Sequence, residues 1–291
     1  MADATILDTI VDHKRGEVAA RKTRTPLTEL KARLADASPT RGFTHALRNP
    51  AAMPRALDGH ADAAAAHQAP PSLSGEGVGG RGITLIAEVK KASPSAGVIR
   101  TDFDPFEIAK TYEANGAACL SVLTDERFFQ GHDDYFRAVR KAVSIPMIRK
   151  DFTVDPYQIY ETRALDADAI LLIVAALTPA QIQDYLALAA EVGLDALVEV
   201  HTEEEMRVAV DAGATLVGIN SRDLKRFVTD LSTFDRLAPM APPGSTLVAE
   251  SGIKTPADVD RVHRAGAHAI LVGESLMRQA DIGCAVRELM A

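Results

Sequence analysis

From Ile83 onward the chain alternates short apolar runs with amphipathic stretches. "ITLIAEV" precedes "DPFEIAKTYEANGA", "CLSVLT" precedes "DDYFRAVRKAV", and "PMIRKD" precedes "DPYQIYETRALDA". The same alternation continues through "AILLIVA", "TPAQIQDYLALAAEVG", "DALVEV", "TEEEMRVAVDAGA" and "TLVGIN", and closes with "STLVAES", "TPADVDRVHRAGA" and "AILVGE" before a last helix near "DIGCAVRELM". This makes about eight strand signals, the number a closed α/β barrel needs. The runs are almost continuously apolar, as strands of a parallel sheet are when helices cover it. Helix ends are marked as well. Glycine follows the last helical residue in "ANGAACL", "EVGLDAL", "DAGATLV" and "RAGAHAI", where a left-handed C-cap is expected. Asp104-Pro105, Asp155-Pro156, Thr178-Pro179 and Thr255-Pro256 have the form of helix starts. An α/β fold of the (β/α)8 TIM barrel type matches the pattern best, with an open doubly wound sheet as the alternative.

Two segments precede the alternation. "ILDTIVDHKRGEVAARK" predicts a helix with Ile6, Ile10 or Val11, and Val18 on one face, and with Asp8, Lys14 and Glu17 elsewhere. It belongs to an N-terminal helical extension over residues 1–50 that packs on the barrel of residues 83–291. Between them, residues 51–82 are rich in Ala, Pro, Gly and Ser and poor in large apolar side chains. Such a stretch cannot offset its ordering entropy by burial, so a flexible surface insertion within a single domain is expected. His60 and His67 lie in it without other metal-ligand residues beside them and read as solvated side chains.

Composition then narrows the setting. With 291 residues, 47% hydrophobic and 25% charged, the chain has enough apolar residues for one large core. Its formal net charge of -8 is unsuited to coating a polyanion, so nucleic acid is not an expected partner. The two cysteines, Cys119 and Cys284, support neither a disulfide framework nor a cysteine metal cage, which suggests a reducing cytoplasm. No secretory signal or membrane-length apolar run is present, so a soluble protein is expected. Oligomeric state is not fixed by the sequence, which is compatible with a monomer.

The strand ends carry the chemistry. In a parallel barrel the carboxyl ends of the strands open onto one face, where polar residues distant in sequence converge. Those ends hold Glu88 and Lys90, Lys150 and Asp151, Glu199, Asn220 and Arg222, Glu250 and Ser251, and Gly273. Glu88 and Lys90 are two apart and so share one side of their strand. Taken singly, such charges also suit a solvated rim. Together, two lysines and two or three carboxylates at a low-dielectric mouth are expected to lower a lysine pKa and raise a glutamate's, as general acid–base catalysis requires. "AESGIKTPADV" and "ILVGESLM" place Ser251-Gly252 and Gly273-Glu274 between a strand and a helix. Backbone N–H groups bind phosphate at such places, although the glycines also suit plain tight turns.

The motifs "AEVKKASPSAGVI", "VLTDERFFQG", "IPMIRKDF", "ILLIV", "LVEV", "GINSRDL", "VAESGI" and "LVGESLM", in this order, resemble the indole-3-glycerol phosphate synthase family of tryptophan biosynthesis. The likeness runs from Ile83 to the C-terminus. The leading helix and Gly42-Phe43 resemble the family's extra N-terminal segment, and residues 51–81 look like an insertion. The resemblance implies ring-closing decarboxylation and dehydration of a small phosphorylated substrate, 1-(2-carboxyphenylamino)-1-deoxyribulose 5-phosphate, without a metal or organic cofactor. By similarity, Lys150 is the general acid of ring closure, Glu199 the carboxylate of dehydration, Lys90 a second acid or carboxylate partner, and Glu88 the residue that orients lysines and substrate. Spacing does not decide which lysine protonates which oxygen. Asn220 and Arg222 match positions that hold the substrate and its polar network, and Ser93 lies in the matching "SPS" loop. Phe129 and Phe152 pack against the aryl ring in this reading, or serve as ordinary core residues. Ser251, Gly252 and Gly273 match the phosphate cradle. Glu274 joins it only as a backbone contact, since its carboxylate repels the anion. Two rival functions are an aldolase forming a Schiff base on Lys150 or Lys90, and a noncatalytic phosphate-binding scaffold.

Overall fold

The computed structural model describes residues 5–49, 82–223 and 228–291. The expected insertion, with His60 and His67, lies outside the described residues apart from Gly82. Three helices come first: α1 (Ile6–Arg24), α2 (Leu27–Leu34) and α3 (Phe43–Arg48). Then come β1 (Thr84–Val89), a two-stranded hairpin of β2 (Ala92–Ser93) and β3 (Gly97–Val98), α4 (Pro105–Ala114), β4 (Cys119–Leu123), α5 (Glu126–Phe129), α6 (Asp133–Ala142) and β5 (Met147–Lys150). The chain continues with α7 (Tyr157–Ala164), β6 (Ala169–Ile173), α8 (Pro179–Glu191), β7 (Asp195–Val200), α9 (Glu203–Asp211) and β8 (Leu216–Asn220). It ends with α10 (Ser232–Leu237), β9 (Thr246–Glu250), α11 (Pro256–Arg264), β10 (Ala269–Val272), α12 (Glu274–Met277) and α13 (Ile282–Met290).

The eight strands other than the hairpin pair in parallel in the order β1-β10-β9-β8-β7-β6-β5-β4, and β4 returns to β1. The barrel is therefore closed, and the open doubly wound alternative is set aside. Each of the eight apolar runs forms one of its strands. Three of the four expected helix starts follow their sequence signals, while α7 begins one residue later, with Pro156 rather than Asp155 at its cap. Asp104 accepts from the Phe106 and Glu107 N–H groups, and Thr178 and Thr255 form capping boxes with Gln181 and Asp258. The expected hinge glycines 116, 193, 213 and 266 all take positive φ.

Period-2 alternation divides each strand into inner and outer faces. Ile86, Ile148, Leu171, Leu197, Leu216 and Val248 pack together inside the barrel. Phe43 and Leu47 of α3 join this inner cluster and close the end of the barrel away from the strand carboxyl ends. Burying these two side chains contributes roughly 1.5–3 kcal/mol each. Polar contacts fix the plug: the Thr44 N–H donates to Asp195 at 2.8 Å, the Arg41 N–H donates to Asp168 at 2.7 Å, and the Thr84 hydroxyl donates to the Leu47 carbonyl at 3.0 Å.

At the opposite end, α1 lies against the loops after β4 and β5. Leu7, Val11 and Val18 pack with Leu30, Val154 and Tyr157. Lys14 departs from the expected pattern. It lies on the buried face with Ile10 and Val18 and is 1% exposed. Three carboxylates reward that burial, Glu17 at 2.9 Å, Asp125 at 3.0 Å and Asp151 at 2.9 Å. Among the described residues no helix is long and apolar enough to cross a membrane.

Candidate active site

Every candidate residue named from the sequence lines one cavity of about 990 Å³ at the carboxyl ends of the strands. That volume is in the usual range for a small-molecule site. Strand direction and register place the polar groups. Glu88 near the end of β1, Lys150 at the end of β5, Glu199 near the end of β7 and Glu250 at the end of β9 face the same opening. Asn220, at the end of β8, lies in register with Glu250.

Lys150 is the hub. Its ammonium donates to Glu199 Oε2 at 3.1 Å and to Glu250 Oε2 at 2.7 Å. Beside it, Lys90 donates to Glu88 Oε1, and the buried Ser121 hydroxyl donates to Glu88 Oε2 at 3.4 Å. The three carboxylates are nearly buried, while the two lysines keep 13–15% of their side chains exposed toward the cavity. Two glycines make room for the acids. A Cβ on Gly273 would lie 2.5 Å from Glu88 Oε1, and one on Gly218 would collide with Glu250 Oε1.

The charge balance sets the protonation states. Burial opposes the Lys150 charge, but Glu250, Glu199 and Glu88 together outweigh it and raise its pKa. This reverses the expectation of a lowered lysine: too many carboxylates surround it. Burial likewise opposes charge on Glu199 and Glu88. Lys150 and His201 override it for Glu199, Lys90 and Lys150 for Glu88, so both acids are held below the ordinary carboxylate range. Glu250 is the exception. Burial, with repulsion from Glu199 and Glu88, outweighs its bond to Lys150 and pushes it up to about 7. One carboxyl of the set is thus poised near neutrality, as expected, and it is Glu250.

The remaining candidates form the walls. The Phe129 and Phe152 rings face each other at 6.0 Å between centroids, tilted by 40°, on the loops after β4 and β5. Ser93 is 3.4 Å from Ser95, which accepts from Arg222 at 2.9 Å, tying the hairpin after β1 to the loop after β8. The Arg222 N–H donates to the Asn220 side chain at 3.1 Å. At the other rim, Ser251 and Gly252 turn through positive φ, and Gly273 leads into α12. Glu274 points its carboxylate at Arg278, 2.9 Å away, with Arg222 at 3.6 Å. Its charge is committed to guanidinium groups, which leaves its backbone N–H as the group available to an anion.

Three residues of this region had no role assigned from the sequence. Glu250 was visible as a strand end only. His201 lies two residues beyond Glu199, where alternation would have pointed to it. Lys14 gave no signal, because its partners Asp125 and Asp151 are distant in sequence.

Solved barrels share the fold at low identity. 3-Hexulose-6-phosphate synthase superposes with a TM-score of 0.59 at 16% identity, covering 72% of this chain and 98% of that one. Thiamine phosphate pyrophosphorylase from Pyrococcus furiosus gives a TM-score of 0.53 at 17% identity, covering 72% and 94%. Sequence relatives are much nearer. The indole-3-glycerol phosphate synthase of Azospirillum brasilense is 47% identical, covering 98% of this chain and 99% of that protein. The one from Chlorobium luteolum is 48% identical, covering 96% and 95%, and that of Rhodospirillum rubrum 46%, covering 98% of each. The sequence model of the family described as indole-3-glycerol phosphate synthase matches residues 72–289. On this evidence the chain belongs to the indole-3-glycerol phosphate synthase family.

Proposed function

We propose that the protein converts 1-(2-carboxyphenylamino)-1-deoxyribulose 5-phosphate to indole-3-glycerol phosphate, carbon dioxide and water by general acid–base catalysis. The observation that carries this reading is the Lys150 ammonium held 3.1 Å from Glu199 and 2.7 Å from Glu250 in a cavity whose lining includes Ser251, Gly252 and Gly273. The aryl ring packs against Phe129 and Phe152, and the phosphate rests on backbone N–H groups around Ser251, Gly252, Gly273 and Glu274. Asn220 and Arg222 hold the sugar hydroxyls, and Ser93 supports Arg222 through Ser95.

Ring closure forms a bond from the aromatic carbon to the ribulose carbonyl carbon, while Lys150 delivers a proton to the carbonyl oxygen. Loss of carbon dioxide returns the bonding electrons to the ring. In dehydration the new hydroxyl leaves as water with a proton from Lys90, and Glu199 takes the proton that completes the indole. Glu88 orients both lysines. Acid–base steps of this kind are worth about 10² to 10⁴ in rate each.

A Schiff-base aldolase fits less well. A nucleophilic lysine needs a lowered pKa, and Lys150 is shifted upward between two acids. One chain supplies every group named, so turnover needs no partner subunit. Free Cys119 and Cys284 suit a reducing cytoplasm. The decisive test is incubation of purified protein with the carboxyphenylamino substrate, read by indole fluorescence. Product formation is expected. Its absence, or borohydride trapping of a carbonyl substrate on Lys150 or Lys90, would overturn the assignment.

A further inference from the structure

His201 lies just beyond the end of β7 and outside the lining of the cavity. Its ring sits between two acids. Nε2 is 3.3 Å from Glu199 Oε1, and Nδ1 is 3.1 Å from Glu205 Oε2 on α9. Glu205 Oε2 also accepts the His201 backbone N–H at 2.7 Å, and the Glu205 N–H donates to the Thr202 hydroxyl that caps α9. The ring is therefore anchored to a helix start rather than hanging from a loop. Its side chain is 9% exposed, against 4% for Glu199.

The two oxygens of Glu199 consequently have different surroundings. Oε1 is turned back toward His201, and Oε2 faces Lys150 and the cavity. The terminal torsion of a glutamate is broad and roughly two-fold, so packing alone fixes its orientation weakly. We propose that His201 is a positioning residue of the reaction: wedged between Glu205 and Glu199, it fixes the Glu199 carboxylate so that one defined oxygen meets the reacting atoms.

The electrostatics agree with the geometry. Both ring nitrogens lie within ion-pair distance of a carboxylate, Nδ1 in a hydrogen bond to Glu205 and Nε2 beside Glu199 without hydrogen-bond alignment, which favours an imidazolium through charge. Burial opposes that charge, but Glu199 and Glu205 outweigh it and push the His201 pKa up to about 10. Glu199 is faced by Lys150 from β5, His201 from its own strand end, Glu250 from β9 and Glu88 from β1. Removing His201 deletes one of the two nearby cations that keep it ionised.

This inference rests on the proposed reaction, and its test separates the two. In His201→Ala, kcat is expected to fall about 10- to 100-fold with KM within about twofold, as for a misplaced catalytic group. The acid limb of the kcat–pH profile moves to higher pH, because Glu199 protonates more readily. His201→Asn keeps a donor but carries no charge, so it regains part of kcat while the limb stays displaced. A folded His201→Asn protein with wild-type kcat and an unmoved limb would overturn the proposal, and this arm decides if the alanine variant does not fold. Nitrogen-15 NMR of the unliganded wild type gives a readout independent of turnover. His201 is expected to stay doubly protonated above about pH 8, and to titrate lower in Glu205→Gln. A neutral His201 at pH 7 would overturn the proposal. Wild-type protein with no turnover would instead refute the reaction itself.

Discussion

Two charged networks meet at the end of β5, one on each side of the same strand. Lys150 points into the cavity, toward Glu199 and Glu250. Its neighbour Arg149 points outward, as alternation requires, and Asp151, just past the strand end, reaches Lys14 of α1. Arg149 reaches Glu161 at 2.8 Å and Asp133 at 3.1 Å, and Asp151 pairs with the Lys14 ammonium at 2.9 Å and accepts from Thr124 at 2.7 Å. Arg21 of α1 closes the outer group through Glu17, Asp133 and Glu161. The residue types are alike on both sides. In the outer network the charges are packed against one another by α1, α6 and α7, and Asp151 is held down to about 2, with burial overridden by Lys14 and Arg149. In the inner network the lysines keep one side open to the cavity, and Glu250 is pushed up to about 7. Closed pairing fixes charges and braces the strand. Open pairing leaves protons free to move next to a group that the brace holds in place.

Substitutions can break this contrast. The largest effect is expected from Glu199→Gln in the inner network. It should lower kcat by about 10² to 10⁴ while thermal stability stays near wild type. Steady-state kinetics with thermal unfolding checks both halves. In the outer network Lys14→Met should do the reverse. Stranding Asp125 and Asp151 costs about 3–5 kcal/mol of stability, measured by denaturant unfolding, with a much smaller change in kcat per folded molecule. A Lys14→Met protein of wild-type stability would remove the brace from the account.

pH sharpens the same comparison. The folded-state pKa of Asp151 is depressed from its ordinary 3.8 to about 2, so its contribution is present above about pH 4 and is lost as pH falls toward 2. It amounts to about 2.5 kcal/mol at most. Glu250 has the opposite sign. Its folded pKa is raised from 4.5 to about 7, so its contribution is full below about pH 4.5 and declines as pH rises through 7. Unfolding free energies across pH should therefore fall toward acid, fall between about pH 4.5 and 7, and fall again above about pH 6.5 through His201, whose folded pKa is raised to about 10. Glu250→Gln should remove the decline between about pH 4.5 and 7 and spare the other two.

The barrel is legible because most of the eight parallel strands are largely apolar runs and glycine hinges precede four of them, β4, β7, β8 and β10. The mouth was legible because strand ends share one face, and the family resemblance then supplied roles for residues such as Glu88 and Lys150. Helical periodicity put Lys14 away from the apolar face of α1, since periodicity treats a charge as solvent-facing. Only the fold brings Asp125 and Asp151 to it. The sign of the lysine shift is not legible for a related reason: how many carboxylates gather around Lys150 depends on the fold. His201 carries no signal of its own because the apolar run ends at Val200, although its spacing from Glu199 places it on the same side.

The central claim is that Lys150 drives the chemistry from a site that other residues assemble. Its most direct test is Lys150→Ala, assayed for indole product and, in the same preparation, for binding of a phosphate-bearing substrate analogue. The account predicts turnover reduced by about 10² to 10⁴ with analogue binding retained in a folded protein. Wild-type turnover in this variant would contradict it.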